Sequence, residues 1–311
     1  MKKIVSGIAF FIILILILLV LGYVLSPDFL SKNDIVDKKG DVNSRLDREE
    51  PDSLDIIILG DSESYTSISP MELWRNYGYA SYNFGQVGAT LSDVKEAYRT
   101  IASKQQPKIV LLETNALYRG DTRNDEANNF ITRTIYKVLP VTKYHDNWKV
   151  PFQDRREGNY KGFTISHTVD PCENTDYMIP TDKEEGIISD NNKTLKEIVD
   201  LCKENNATLI LYSAPSPPNY NYAKHNALSK LAKELGVEYI DFNLANDEMK
   251  IDYTTDTRDG GDHLNVYGAI KATGYIGRWL NERYELPDKR LTDIAPSWND
   301  LLNEYTKEIN E

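Results

Sequence analysis

The chain opens on an unbroken apolar run. Ile4 to Leu25 holds no charged residue, and Lys2 and Lys3 precede it. As a helix those residues span about 33 Å at ~1.5 Å per residue, which matches a bilayer core. The pattern predicts one N-terminal transmembrane helix within residues 1–26. Its lysines keep the short N-terminus in the cytoplasm and send everything later outside. A cleaved signal peptide is the alternative, but its apolar region would be shorter, ~7–15 residues. Gly22-Tyr23-Val24-Leu25-Ser26 is also a poor cleavage site, so the expectation is an uncleaved signal anchor. Residues 27–52 are polar and charged and read as a stalk.

From Ser53 the period changes. Leu54–Leu59 is a short run rich in β-branched residues, as expected of a buried parallel strand. Ala80–Phe84, Lys108–Glu113, Ala207–Tyr212 and Val237–Phe242 read as four more strands. Helical spacing alternates with them. Val94, Ala97, Tyr98 and Ile101 recur behind Ser92, an expected N-cap. Leu195, Ile198, Val199 and Cys202 recur before Asn205, and Leu228, Leu231 and Leu235 end at Gly236, a natural helix stop. Ala269, Thr273, Ile276 and Leu280 mark a last core helix. This alternation predicts one α/β domain over residues 53–285 with a mostly parallel sheet. Residues 116–188 break it with many aromatics and little periodicity. They read as an insertion that either lines a substrate cleft or caps a sheet edge. Residues 286–311 carry an amphipathic stripe (Trp298, Leu301, Leu302, Tyr305, Ile309), read as a helix packed on the domain with Ser297 or Asp300 as its cap.

Charge and composition narrow the function. There are 48 Asp+Glu against 36 Lys+Arg, a net charge of −12, and the part beyond Lys2 and Lys3 carries −14. No basic face is available for nucleic acid. Two Cys exclude a disulfide-rich scaffold and a four-thiolate zinc site. Outside the membrane Cys172 and Cys202 have the choice of a disulfide or buried free thiols. An acidic external domain favours a neutral glycan, or a locally basic cleft, over a highly charged acceptor.

The chemistry gathers where strands end. Leu59-Gly60-Asp61-Ser62-Glu63-Ser64 follows the first strand, and in parallel sheets ligands bind at the strands' carboxyl ends. Ser62 is a candidate nucleophile, although Gly-Asp-Ser by itself is usually a turn. It needs a base. Of His145, His167, His225 and His263, the last follows the final strand in Arg258-Asp259-Gly260-Gly261-Asp262-His263 and faces the same edge. Asp259 and Asp262 adjoin it, and either is a candidate to orient the imidazole. Oxyanion donors are available in Asn83-Phe84-Gly85-Gln86-Val87-Gly88 and Glu113-Thr114-Asn115.

Gly-Asp-Ser at the first strand, Asn-x-Gly-x-x-Gly after the second, Asn after the third and an acid–His pair near the C-terminus resemble the SGNH/GDSL hydrolase superfamily. The resemblance spans about residues 54–284. It implies a flavodoxin-like three-layer α/β/α fold with a five-stranded, mostly parallel sheet. It implies Ser62 as nucleophile, His263 as base, and Gly88 and Asn115 as oxyanion donors, with no metal or organic cofactor. Three departures stand out. Glu63 occupies the place of Leu, Asn115 sits in Glu-Thr-Asn-Ala, and Gly260 stands where the family's acid precedes His by three. Asp259, four before, is preferred as the acid, and Asp262 stays open.

With an anchor, a stalk and a large insertion, the chain resembles the membrane-anchored branch that acylates cell-envelope polymers. That branch includes the teichoic-acid D-alanyl transfer protein and polysaccharide O-acetyltransferases. The resemblance implies an extracytoplasmic esterase or O-acyltransferase acting on a cell-envelope glycan or acylated carbohydrate, with a multispanning membrane acyltransferase as partner. The rival is a non-catalytic SGNH-like module that binds glycan or scaffolds that partner. A flavodoxin-like nucleotide binder is disfavoured, because no P-loop or Gly-x-Gly-x-x-Gly follows the first strand.

Overall fold

The five expected strands form: β1 (Ile56–Leu59), β2 (Ser81–Asn83), β3 (Ile109–Glu113), β4 (Thr208–Ser213) and β5 (Glu238–Asp241). They form one sheet in the order β2-β1-β3-β4-β5. Register aligns Ile56 with Ser81 on one side and Ile109 on the other, and Ile109 with Thr208. Every residue of β1, β2 and β3 is buried, because crossover helices cover a parallel sheet on both faces. Where the sequence suggested only a loop, Thr257–Arg258 (β6) and His263–Leu264 (β7) pair as a small antiparallel ladder.

This computed structural model describes residues 2–26, 29, 42–120, 135, 138–144 and 159–311. It contains two compact units, Met1–Arg48 with Asp121–Glu157, and Glu49–Gly120 with Gly158–Glu311. The first unit holds α1 (Lys2–Val24) and α2 (Val42–Leu46). The second then contributes α3 (Ser62–Ser67), α4 (Pro70–Tyr77) and α5 (Leu91–Ala102). After α6 (Val141–Tyr144) of the first unit come α7 (Ser189–Glu204), α8 (Tyr222–Leu235), α9 (Asn246–Met249), α10 (Val266–Arg283) and α11 (Ala295–Glu308).

The opening apolar run forms α1, and its side chains from Phe10 to Ile17 are exposed. A Cβ on Gly22 would lie 2.7 Å from the Val141 backbone N, so glycine permits α1 and α6 to approach closely. In α1 the described side chains run unbroken only from Ala9. Among the described residues no helix is long and apolar enough to cross a membrane. Most of the expected stalk, with Phe130, Tyr136, His145, Trp148 and Phe152 of the insertion, lies outside the described residues.

Successive side chains of a strand point to opposite faces. Ile56, Ile58, Ile109, Leu111, Ile210 and Tyr212 join a core with Leu73 of α4 and with Ile276 and Leu280 of α10. Ile57, Leu59, Val110, Leu112 and Leu209 are equally buried and face the other side. There α5 and α7 pack on each other, and α7 packs on β4. Three layers result. Each fully buried aliphatic side chain contributes about 1.5–3 kcal/mol relative to exposure. Part of the insertion caps a sheet edge: the Asn83 N–H of edge strand β2 donates to the Lys161 carbonyl at 2.9 Å. Tyr160 and Phe163, flanking that turn, are buried against Tyr305.

Two expected caps move. Thr90, not Ser92, starts α5, because a capping box links Thr90 and Asp93 in both directions. Neither Ser297 nor Asp300 caps α11. That helix starts after Ile294 with Pro296 in its first turn, where a missing N–H costs nothing. Gly236 closes α8 at φ 67°. Cys172 and Cys202 are both buried and free.

Trp298 of α11 is 1% exposed, stacks on Trp74 of α4 at 4.8 Å and lies under the Lys161 ammonium. Trp298→Ala should therefore lower unfolding free energy by about 3–5 kcal/mol. Leu291→Ala, at a side chain 98% exposed, should change it by less than ~0.5 kcal/mol. Equal urea midpoints for the two variants would show that α11 is not part of the core.

Candidate active site

The turn that presents Ser62 is built by Gly60 and Asp61. Gly60 leaves β1 at φ 144°, and a Cβ there would lie 2.6 Å from Glu113 Cβ, so only glycine fits between β1 and β3. Asp61 then caps α3, its Oδ1 accepting the Glu63 N–H at 3.0 Å. Ser62 is the first residue of the helix and half-buried, so its N–H is not spent inside the helix. The loop after β2 is tied to this turn. Gln86 N donates to Gly60 O at 3.1 Å, and a Cβ on Gly85 would meet Asp61 O at 2.9 Å.

His263 stands on β7, which packs against α3. Its Nδ1 lies 3.0 Å from Asp259 Oδ2 and 3.4 Å from Asp262 Oδ2. Asp259 reaches it over four residues because Asp259, Gly260 and Gly261 all take positive φ (57°, 65° and 92°) and wind the chain back. A non-glycine residue in that region is uncommon, and the short polar side chain of Asp tolerates it best. The other oxygen of Asp262, Oδ1, accepts from Asn219 Nδ2 at 2.5 Å. The Ser62 helix and the His263 loop are neighbours.

Asn115 and Gly88 reach the same edge by different routes. Asn115 opens a 3₁₀ turn after β3, and its Nδ2 donates to Asp61 Oδ2 at 3.0 Å. Gly88, at φ 63°, is exposed, and a Cβ there would lie 3.5 Å from Arg119 Nη1. Arg119 ends the turn begun by Asn115 and pairs with Asp61 Oδ2 at 2.9 Å. No motif marks Arg119 in the sequence, and only the turn brings it back to Asp61.

A buried set of carboxyls lies beneath. Glu63 is 2% exposed and accepts from Asn219 Nδ2 at 2.5 Å. Glu113, fully buried, accepts from Tyr220 Oη, and from Asn115 N at 2.9 Å. Burial, and then the Asp61 charge, push Glu113 up to about 8. Burial with the charges of Glu113, Asp61 and Asp262 drives Glu63 well above the usual carboxylate range. Burial raises Asp61 too, opposed above all by Arg119. Glu63 and Glu113 were legible only as departures from a motif. Asn219 and Tyr220, which satisfy them, carry no sequence signal. Glu63, Asp262 and His263 bring possible metal-ligating atoms within 4.8 Å of one another. Asn219 already bridges the two carboxyls of that set, and Asp259 engages the imidazole.

The other described histidines have different work. His167 reaches Tyr267 Oη and Glu308 O. His225 pairs with Asp241 at 2.9 Å and lies 3.4 Å from Ser229 Oγ. Ser229 sits inside α8, where its N–H is consumed by the helix. That arrangement has no backbone donor for an oxyanion, and it anchors α8 to the end of β5.

The buried acids give stability a pH dependence. Folded Glu113 keeps its proton up to about pH 8, whereas an ordinary Glu releases it near 4.5. The folded state binds the extra proton between those values, so stability falls as pH rises through that window. Glu63, shifted the same way, steepens the fall. Urea melts at about pH 5 and about pH 8 should show the protein more stable at the lower pH, with Glu113→Gln flattening the difference. A slope unchanged in that variant would refute the assignment to Glu113.

No protein-family model matches the chain, and no curated protein does. Solved structures similar to it include a lipase/acylhydrolase from Enterococcus faecalis (14% identity, TM-score 0.40, 75% of this chain and 98% of that one). Others are a putative acylhydrolase from Bacteroides fragilis (13%, 0.40, 78% and 94%) and the psychrotrophic esterase EstA from Pseudoalteromonas sp. (16%, 0.39, 73% and 98%).

Proposed function

We propose that the chain is an extracytoplasmic serine esterase or O-acyltransferase of the SGNH type, moving an acyl group, acetyl by preference, to or from a cell-envelope glycan. The observation that carries this reading is the His263–Asp259 pair on a ladder packed against the helix that begins with Ser62. In the proposed reaction Ser62 Oγ attacks the acyl carbonyl as its proton passes to His263. Asp259 fixes the imidazole and stabilises its positive charge. The Oγ–C bond forms, and the negative oxygen is met by the Ser62 and Gly88 N–H groups and the second hydrogen of the Asn115 amide. The C–O bond to the leaving alcohol then breaks as His263 returns the proton. An acceptor hydroxyl or water repeats the steps and releases Ser62. Exclusion of water from the second half makes a transferase. The proposed location rests on the apolar Ile4–Leu25 run behind two lysines, with a multispanning acyltransferase as partner.

Ser62→Ala should remove the burst of p-nitrophenol from p-nitrophenyl acetate and lower turnover by a factor on the order of 10⁴–10⁶. Asp259→Asn should cost on the order of 10⁴ in kcat, and Asp262→Asn far less. A burst intact in Ser62→Ala, in a folded protein, defeats the nucleophile assignment. A folded wild type that never labels at Ser62 with a phosphonate probe supports the non-catalytic glycan-binding or scaffold module instead. For the location, protease added to intact spheroplasts should digest the chain beyond residue 26, and full protection would contradict the orientation.

A further inference from the structure

Arg119 is held from three sides. Its backbone closes the 3₁₀ turn Asn115–Tyr118. Buried Asn191 of α7 pins that turn, donating to Leu117 O at 2.9 Å and to Arg119 O at 2.8 Å. Its guanidinium Nη2 pairs with Asp61 Oδ2, a side chain 0% exposed, while the Arg119 side chain itself is 41% exposed. One end of the cation is therefore fixed in the interior and the other opens to solvent. The open end runs over Gly88, whose missing side chain leaves that edge uncovered. Asp61 Oδ2 also holds Asn115 Nδ2. The guanidinium thus borders both residues assigned to the oxyanion.

Holding a long cationic side chain in one position costs rotamer entropy, and Asp61 has already met that cost. A guanidinium fixed in this way suits the paired oxygens of a carboxylate or phosphate. Around His263 two carboxylates, Asp259 and Asp262, outnumber the one nearby guanidinium, that of Arg258. An anionic group on a substrate would be repelled there and drawn toward Arg119.

We propose that Arg119 forms an anion subsite beside the reacting centre, taking a carboxylate or phosphate group carried by the acylated substrate. This rests on the serine esterase reading and adds to it a substrate class. It also places one cationic fork beside the reacting centre of an otherwise acidic cleft.

The test uses the full-length chain and three esters of one shape: phenyl acetate, 4-acetoxybenzoate and 4-acetoxyphenyl phosphate. In wild type the anionic esters should have the lower KM. In Arg119→Ala the ratio of kcat/KM for anionic over neutral ester should fall roughly tenfold or more, mostly through KM. Arg119→Lys keeps a charge for Asp61 but loses the fork, and should lie between; it also serves if Arg119→Ala does not fold, as thermal melts will show. A ratio unchanged in both variants overturns the proposal, because loss shared equally by all three esters marks a residue that only supports the oxyanion site or Asp61. Binding is read separately by titrating the esters into the Ser62→Ala chain. Tighter binding of the benzoate, or of the phosphate, identifies which anion the subsite takes. Anionic esters binding no tighter than phenyl acetate sinks the subsite alone. Binding intact without any wild-type turnover sinks the esterase reading alone.

Discussion

The Asp61 carboxylate organises this edge of the molecule. It is fully buried, and a buried carboxylate is tolerated only when it is paired or hydrogen-bonded. Three groups from two strand ends meet that requirement: the Glu63 N–H, the Asn115 amide and the Arg119 guanidinium. The first fixes the start of α3 and hence Ser62. The other two fix the turn after β3. One desolvated charge thereby couples the helix of the proposed nucleophile to the groups proposed for the oxyanion. Its neighbours are constrained in turn: Gly60 has room only because it lacks a side chain opposite Glu113.

The same desolvation governs the two acids beside Asp61. Glu63 and Glu113 lie close to Asp61 with few cations to offset them, so burial and mutual repulsion favour their neutral forms. One loop provides for both. Asn219 bridges Glu63 to Asp262, and Tyr220 meets Glu113. The two acids and their partners therefore form a compensated set, and Asn219 extends it to the loop that holds His263. Asp262 gives one carboxylate oxygen to Asn219 while the other stays 3.4 Å from the imidazole, against 3.0 Å for Asp259.

The elements were largely legible before the structure, because they follow from local periodicity. All five strands appear where they were expected, although Ala80–Phe84 holds no β-branched residue, and Gly236 ends its helix for a reason visible in the sequence. The starts of α5 and α11 were misplaced, because a cap is chosen by which side chain reaches a free N–H, and Thr90 with Asp93 outcompetes Ser92. The paired strands β6 and β7 were missed because two residues carry no period.

By itself the sequence determined the order of strands and helices, the apolar run behind two lysines, and the likeness that singles out Ser62, His263, Asp259, Asp262, Gly88 and Asn115. These depend on residue type and spacing, which a linear chain displays. Tertiary structure alone decided that three successive positive φ values wind Asp259 back to His263, that Asn219 and Tyr220 answer two buried acids, and that Arg119 returns to Asp61 across 58 positions of chain. Such pairings are set by desolvation and by the return of distant turns to one sheet edge, and neither leaves a periodic trace in the sequence.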